Sequence, residues 1–266
     1  MEQFRLPKIQ MTSFELPKAV QDVLSEAEEK LAHRPKLLKL FKNCFPNTLE
    51  TTTKLMDDGT TFVITGDIPA MWLRDSVEQV MHYVPLAKDD EDLQRMLSGL
   101  IKRHIRYILI DPYANAFNES ANDWHWNTAD QTEMSPWVWE RKFEIDSLCF
   151  SMRLAYAYWK ETGLTDIFDA GFKSAMRVIY DLFKTEQRHV EQSPYRFMRN
   201  NGIRRIRWPT TGSACRSIIR AWFGPASVPA TTPAISITTF RAICLPSSPF
   251  AICRSLRNGC SATRIF

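Results

Sequence analysis

The stretch AVQDVLSEAEEKLA (residues 19–32) decides how the chain is read, because its apolar and charged residues alternate at helical spacing. The pattern runs over 16–41 and predicts one or two amphipathic helices. Downstream, TTTKLMDDGTTFVIT (51–65) places Asp58-Gly59 between two β-prone runs, the strongest short hairpin signal. Further helices are expected over about 71–87 and 91–110, the second stopped by Pro112 in DPYAN. A polar, aromatic-rich loop follows at 118–135. Helices resume over about 136–162 and 166–186, with Gly163 as the stop between them. This is a helix–loop–helix series with hardly any sheet, an all-α chain of helical hairpins. After about residue 202 the periodicity disappears.

A length of 266 residues suggests one large domain or two small ones, and 44% hydrophobic with 24% charged residues reads as soluble and globular. No apolar run approaches the ~20 residues of a membrane span. The first residues lack the basic start and apolar stretch of a secretory signal, so a cytoplasmic location is expected. The net charge of +4 averages two unlike parts. From Gln192 onward there are 11 Arg and no Lys, Asp or Glu, which leaves 23 basic and all 30 acidic residues in 1–191, a net −7. The body is therefore not expected to bind nucleic acid. Cys44 and Cys149 fall in helical contexts and the other four cysteines crowd the tail. None forms a CxxC pair or has a His at ligand spacing, which argues against a zinc site or a disulfide framework.

Three constellations could carry chemistry. TGDIPAMWLRDS (65–76) packs Asp67, Trp72, Arg74 and Asp75 around a helix start. The bland alternative is a capped helix with a surface ion pair, but neighbours in sequence do not face each other along a helix, so Arg74 and Asp75 should each need another partner. An arginine fork and carboxylates beside a tryptophan face also suit a sugar, whose hydroxyls take charged hydrogen bonds while its C–H face packs on the ring. WVWERKFEID (137–146) sets Glu140 and Glu144 at i, i+4 on the expected helix, a mild repulsion that Arg141 and Lys142 would relieve; an ordinary charged helix face is the alternative. Trp124, Trp126, Trp137 and Trp139 cluster here and favour a carbohydrate-binding wall. DPYANAFN (111–118) reads as a turn. His125 is isolated and more often structural. With no phosphate loop, nucleophile elbow or metal motif, carboxylate acid–base chemistry, as in glycoside hydrolysis, is what remains.

TFVITGDIPAMWLRDS, IDPYANAFN, WVWERKFEIDSLCF and SPYRFMR follow in that order, over about 35–203. Together they resemble the glycoside hydrolase family 125 exo-α-1,6-mannosidases. The resemblance implies an (α/α)6 toroid, here incomplete with a small β-hairpin, and an inverting hydrolase of terminal α-1,6-mannosides that uses no metal or cofactor. By the same resemblance Asp67, Arg74, Asp75 and Glu140 are expected in the sugar pocket, with Trp72, Arg141 and Asp146 in support and His125 as a weaker candidate. The partner implied is an α-mannoside oligosaccharide, with no nucleic acid and no membrane. An inverting pair of carboxyls stands roughly 6.5–9.5 Å apart. In the family the acid lies in a later motif, T-G-M-x-W-S-x-F-R-P-S-D-D-A-C, and the base is a Glu nearer the C-terminus. Neither is spelled here, so no catalytic acid or base is assigned.

The tail explains that gap. Codons for the residues from Ala226 to Ala234, read from one base earlier, permit Gly-Phe-Arg-Pro-Ser-Asp-Asp-Ala-Cys, and the agreement extends on both sides. We expect a frameshift near 202–205. Residues 1–203 would then be the N-terminal part of the catalytic domain, and 204–266 an out-of-frame segment, disordered or arbitrarily packed. Such a chain would lack both catalytic carboxyls and expose apolar faces. Two alternatives are a mannose-binding remnant without catalysis, and a helical module whose Arg-rich tail binds nucleic acid.

Overall fold

The computed structural model describes residues 15–66 and 68–199. Asp67 and everything expected of the tail lie outside these residues.

Helices α1 (Lys18–Lys30) and α2 (Pro35–Cys44) replace the one or two expected over 16–41, with Pro35 starting the second. A short α3 (Asn47–Thr51) leads into strands β1 (Thr53–Leu55) and β2 (Thr61–Val63), which pair antiparallel with Leu55 opposite Thr61. The hairpin stands where Asp58-Gly59 pointed, but its connection is longer than two residues. Thr60 donates to Asp58 Oδ1 from both its N–H and its hydroxyl, at 3.0 and 2.5 Å.

The helix expected over 71–87 is three elements. Strand β3 (Met71–Trp72) passes directly into α4 (Leu73–Val80), which tightens into a 3-10 helix over Met81–Asp89. Pro85 lies in that last piece, where it offers no N–H and its ring would clash with an α-helical carbonyl four residues back.

Helix α5 (Glu91–Ile110) has the expected bounds and is the core's axis, about 30 Å long at 1.5 Å per residue. Asp90 caps it by accepting from Leu93 N, and its other oxygen accepts from Ala19 N of α1, so one carboxylate serves two helix starts. Gly99 lets α5 approach the hairpin, since a Cβ there would come within 2.6 Å of Thr61 Oγ1. His104 is wholly buried between Ser76 of α4 (3.0 Å) and Ser151 (2.8 Å). Burial holds its pKa down at about 3, so it is a neutral strut between helices.

The next correction concerns 136–162. Only Ile145–Thr162 (α6) is helical; Val138–Glu140 is strand β5, in a three-stranded antiparallel sheet with β3 and β4 (Ala116–Phe117), order β3-β4-β5. The backbone donors that a helix would use are taken elsewhere: Lys142 N bonds Asn115 Oδ1 and Phe143 N bonds Tyr195 Oη. Glu140 and Glu144 therefore do not face each other as i, i+4 residues, and there is more sheet than expected. Gly163 ends α6 in the left-handed region at φ 72°. Helix α7 (Ala170–Glu186), capped by Asp169, and the short α8 (His189–Gln192) complete the described chain. Helices α4 to α7 share one apolar core with the hairpin, and the small sheet lies where α4 and α6 begin.

Candidate functional site

Two helix starts meet at this sheet. Arg74 and Asp75 occupy the first turn of α4 immediately after β3, and Asp146 the first turn of α6. The partial positive charge of a helix N-terminus favours both carboxylates. Register brings the rest together: Trp72 and Glu140 both pair with Ala116, from opposite sides of β4. Trp72 also packs with Ala70, Ala116, Trp139 and Ile68 in a small apolar cluster beside the main core.

Arg74 donates to Asp146 Oδ2 at 2.8 Å. Asp75 lies 3.5 Å away and Glu144 3.8 Å, within ion-pair range only. The expectation that Arg74 and Asp75 would not meet is corrected, because the long arginine side chain curls back to its neighbour. Lys142 approaches Glu144 at 3.6 Å. Three carboxylates thus share one guanidinium and one ammonium. Burial, and next the Asp146 charge, push the Glu144 carboxyl up to about 7 against the pull of Lys142 and Arg74. Asp75 Oδ2, Glu144 Oε2 and Asp146 Oδ1 are all buried without a hydrogen-bond partner. A cavity of about 440 Å³ lies against Arg74 and Asp75 of this group, lined also by Gly66, Glu78 and Gln79.

Glu140, Arg141 and His125 fall outside this group. Glu140 accepts from Asn115 Nδ2 at 2.7 Å and from Arg199 Nη2 at 2.6 Å, and Arg199 also holds Asp130 with two bonds. Glu140 is still close enough for its charge to act on Glu144. Arg141 turns away, bonded to Asp111 (2.6 Å) and Thr132 (3.0 Å) and lying over the rings of Tyr113 and Tyr195. His125 donates from Nδ1 to the Val138 carbonyl and faces Asp123 at 3.5 Å, on the outer edge of β5. Sequence reasoning missed Glu144 as an Arg74 partner and missed Arg199 and Asp130 altogether. The only available signal for Glu144 was an acidic residue at a helix start. Asn115 bonds Glu140 and Lys142 N, and Asn118 Nδ2 holds the Trp124 and Pro136 carbonyls.

Among the described residues no group of three or more His, Cys, Asp or Glu is placed to hold a metal ion, and no helix is long and apolar enough to cross a membrane.

Comparison with known proteins gives three findings. A family model described as metal-independent alpha-mannosidase (GH125) matches residues 34–226. The meiotically up-regulated gene 157 protein of Schizosaccharomyces pombe is 33% identical over 235 residues, 79% of this chain and 46% of that protein. A solved metal-independent α-mannosidase of Streptococcus pneumoniae, in a non-productive complex with α-1,6-mannobiose, is 45% identical with a TM-score of 0.66, over 68% of this chain and 42% of that one. The chain thus spans less than half the length of either relative.

Proposed function

Because the chain belongs to glycoside hydrolase family 125, the metal-independent α-mannosidases, we propose that the Arg74 cluster holds the terminal mannose of an α-1,6-mannoside, in a protein whose complete form hydrolyses that bond with inversion. One observation carries this reading: three buried carboxylate oxygens around Arg74 lack a donor. A buried acceptor left unmade costs about 1–3 kcal/mol, more when charged. The vicinal hydroxyls of a sugar would supply those donors, with the Arg74 fork donating back to a hydroxyl oxygen. Asp67, which the family resemblance puts in the sugar pocket, is proposed with them. Trp72 would flank the ring, and Glu140 would form the wall through Arg199.

The acid and base must come from elsewhere. Residues 192–266 contain no Asp or Glu, and the codons of the tail permit the motif that bears the family's acid when read one base earlier. In this account the chain as written binds mannoside and does not cleave it. The test is proton NMR of α-1,6-mannobiose incubated with the chain as written and with one whose frame is restored near 202–205. The restored chain should release β-mannose first and the written chain nothing. Release by the written chain would place acid and base among its own residues; α-mannose first would overturn inversion; no release by the restored chain would overturn the hydrolase reading.

A further inference from the structure

We propose that Trp126 is a second sugar-binding surface, a platform for the mannose residues that follow the terminal one; the proposal rests on the mannoside reading above. Among the described residues, the most exposed Trp, Tyr and Phe side chains are Trp124 and Trp126, both in the loop between β4 and β5, and Trp126 is 52% exposed. Every other described Trp, Tyr or Phe ring is at least partly buried. An indole left half in water, in a loop that joins the same small sheet, needs a partner or a reason.

The loop is joined to the site through the sheet. Trp126 N donates to the Trp139 carbonyl at 2.8 Å, and His125 Nδ1 to the Val138 carbonyl at 2.8 Å, so residues 125–126 extend the free edge of β5. Across the sheet the order is then β3, β4, β5 and the 125–126 segment, with Trp126 bonded to Trp139. At about 4.8 Å per strand spacing, the Trp126 backbone stands one spacing beyond Trp139 and roughly 15 Å from that of Trp72. That span suits a chain of sugars, with its end at Arg74, better than a single ring.

The loop is also built to hold still. Asn118 Nδ2 ties the Trp124 and Pro136 carbonyls at 2.9 and 3.0 Å, Asp123 N bonds the Pro136 carbonyl, and Asp123 sits at φ 63°, a conformation that surrounding bonds must enforce. Further along, Asp130 grips Arg199, which reaches Glu140. An aromatic surface ordered in advance loses little freedom on binding. Its flat apolar face fits the C–H face of a neutral pyranose, while Asn122 and Asn127 brace the loop by accepting from Trp124 N and Ala129 N.

The experiment is calorimetry on the full chain with methyl α-mannoside and with α-1,6-linked mannotriose, comparing wild type with Trp126→Ala and Trp126→Tyr. Trp126→Ala should weaken the trisaccharide roughly three- to tenfold, the range for one aromatic packing contact, and leave the monosaccharide unchanged; Trp126→Tyr should restore most of the loss. Equal losses for both ligands, or none for either, with circular dichroism unchanged, would overturn the platform while leaving the terminal pocket in place. If wild type binds neither sugar, the mannoside reading falls and the platform with it.

Discussion

Two arginines meet carboxylates at the same small sheet, and they are wired differently. Arg199 is closed: it grips Asp130 through both ends of its fork, and the Glu140 it also holds has its second oxygen on Asn115. Arg74 is open: it makes one hydrogen bond, to Asp146, while Asp75 and Glu144 stay at ion-pair distance and three oxygens lack donors. A satisfied ionic group holds parts together, and an unsatisfied one beside a cavity is where we propose that the sugar binds. The difference lies in which lone pairs are already used, not in residue type.

The largest effect should come from breaking the closed pair. Arg199→Leu would leave Asp130 and Glu140 buried without their cation, and removing one partner of a buried pair costs about 3–5 kcal/mol. Urea unfolding would show this, and a loss below about 1 kcal/mol would mean that the clamp is not structural.

Next comes the proton of the open cluster. Folding raises the Glu144 carboxyl from 4.5 to about 7, so the folded chain holds that proton to higher pH than the unfolded one. Glu144 therefore imposes no penalty below about pH 4.5, destabilises increasingly as pH climbs to 7, and keeps its full penalty above that. Relative to Glu144→Gln, wild type should lose up to about 3 kcal/mol across this window. The two unfolding profiles, measured from pH 4 to 8, would be parallel if the carboxyl were not so perturbed.

What the sequence disclosed follows from how local each feature is. Helix α5, its stop before Pro112 and the Gly163 terminus depend on neighbours within a turn, and they were legible. WVWERKFEID was misread as helix because its apolar residues suit either period, and β4, which recruits it as a strand, comes from a distant segment. The residue classes of the site were visible in WLRDS and FEIDS. Their contact was not, since Arg74 and Asp146 are 72 residues apart and meet only because two helices start from one sheet. Open and closed arginines could not be told apart until each oxygen had its partner assigned.

Calorimetry of α-1,6-mannobiose binding to wild type and to Asp75→Ala tests most directly whether the open cluster is the sugar site. Asp75 is half exposed, so its removal should leave folding intact. Loss of a charged hydrogen bond, worth about 1.5–3 kcal/mol, should weaken binding by roughly ten- to a hundredfold. Undiminished affinity in the variant would contradict the account.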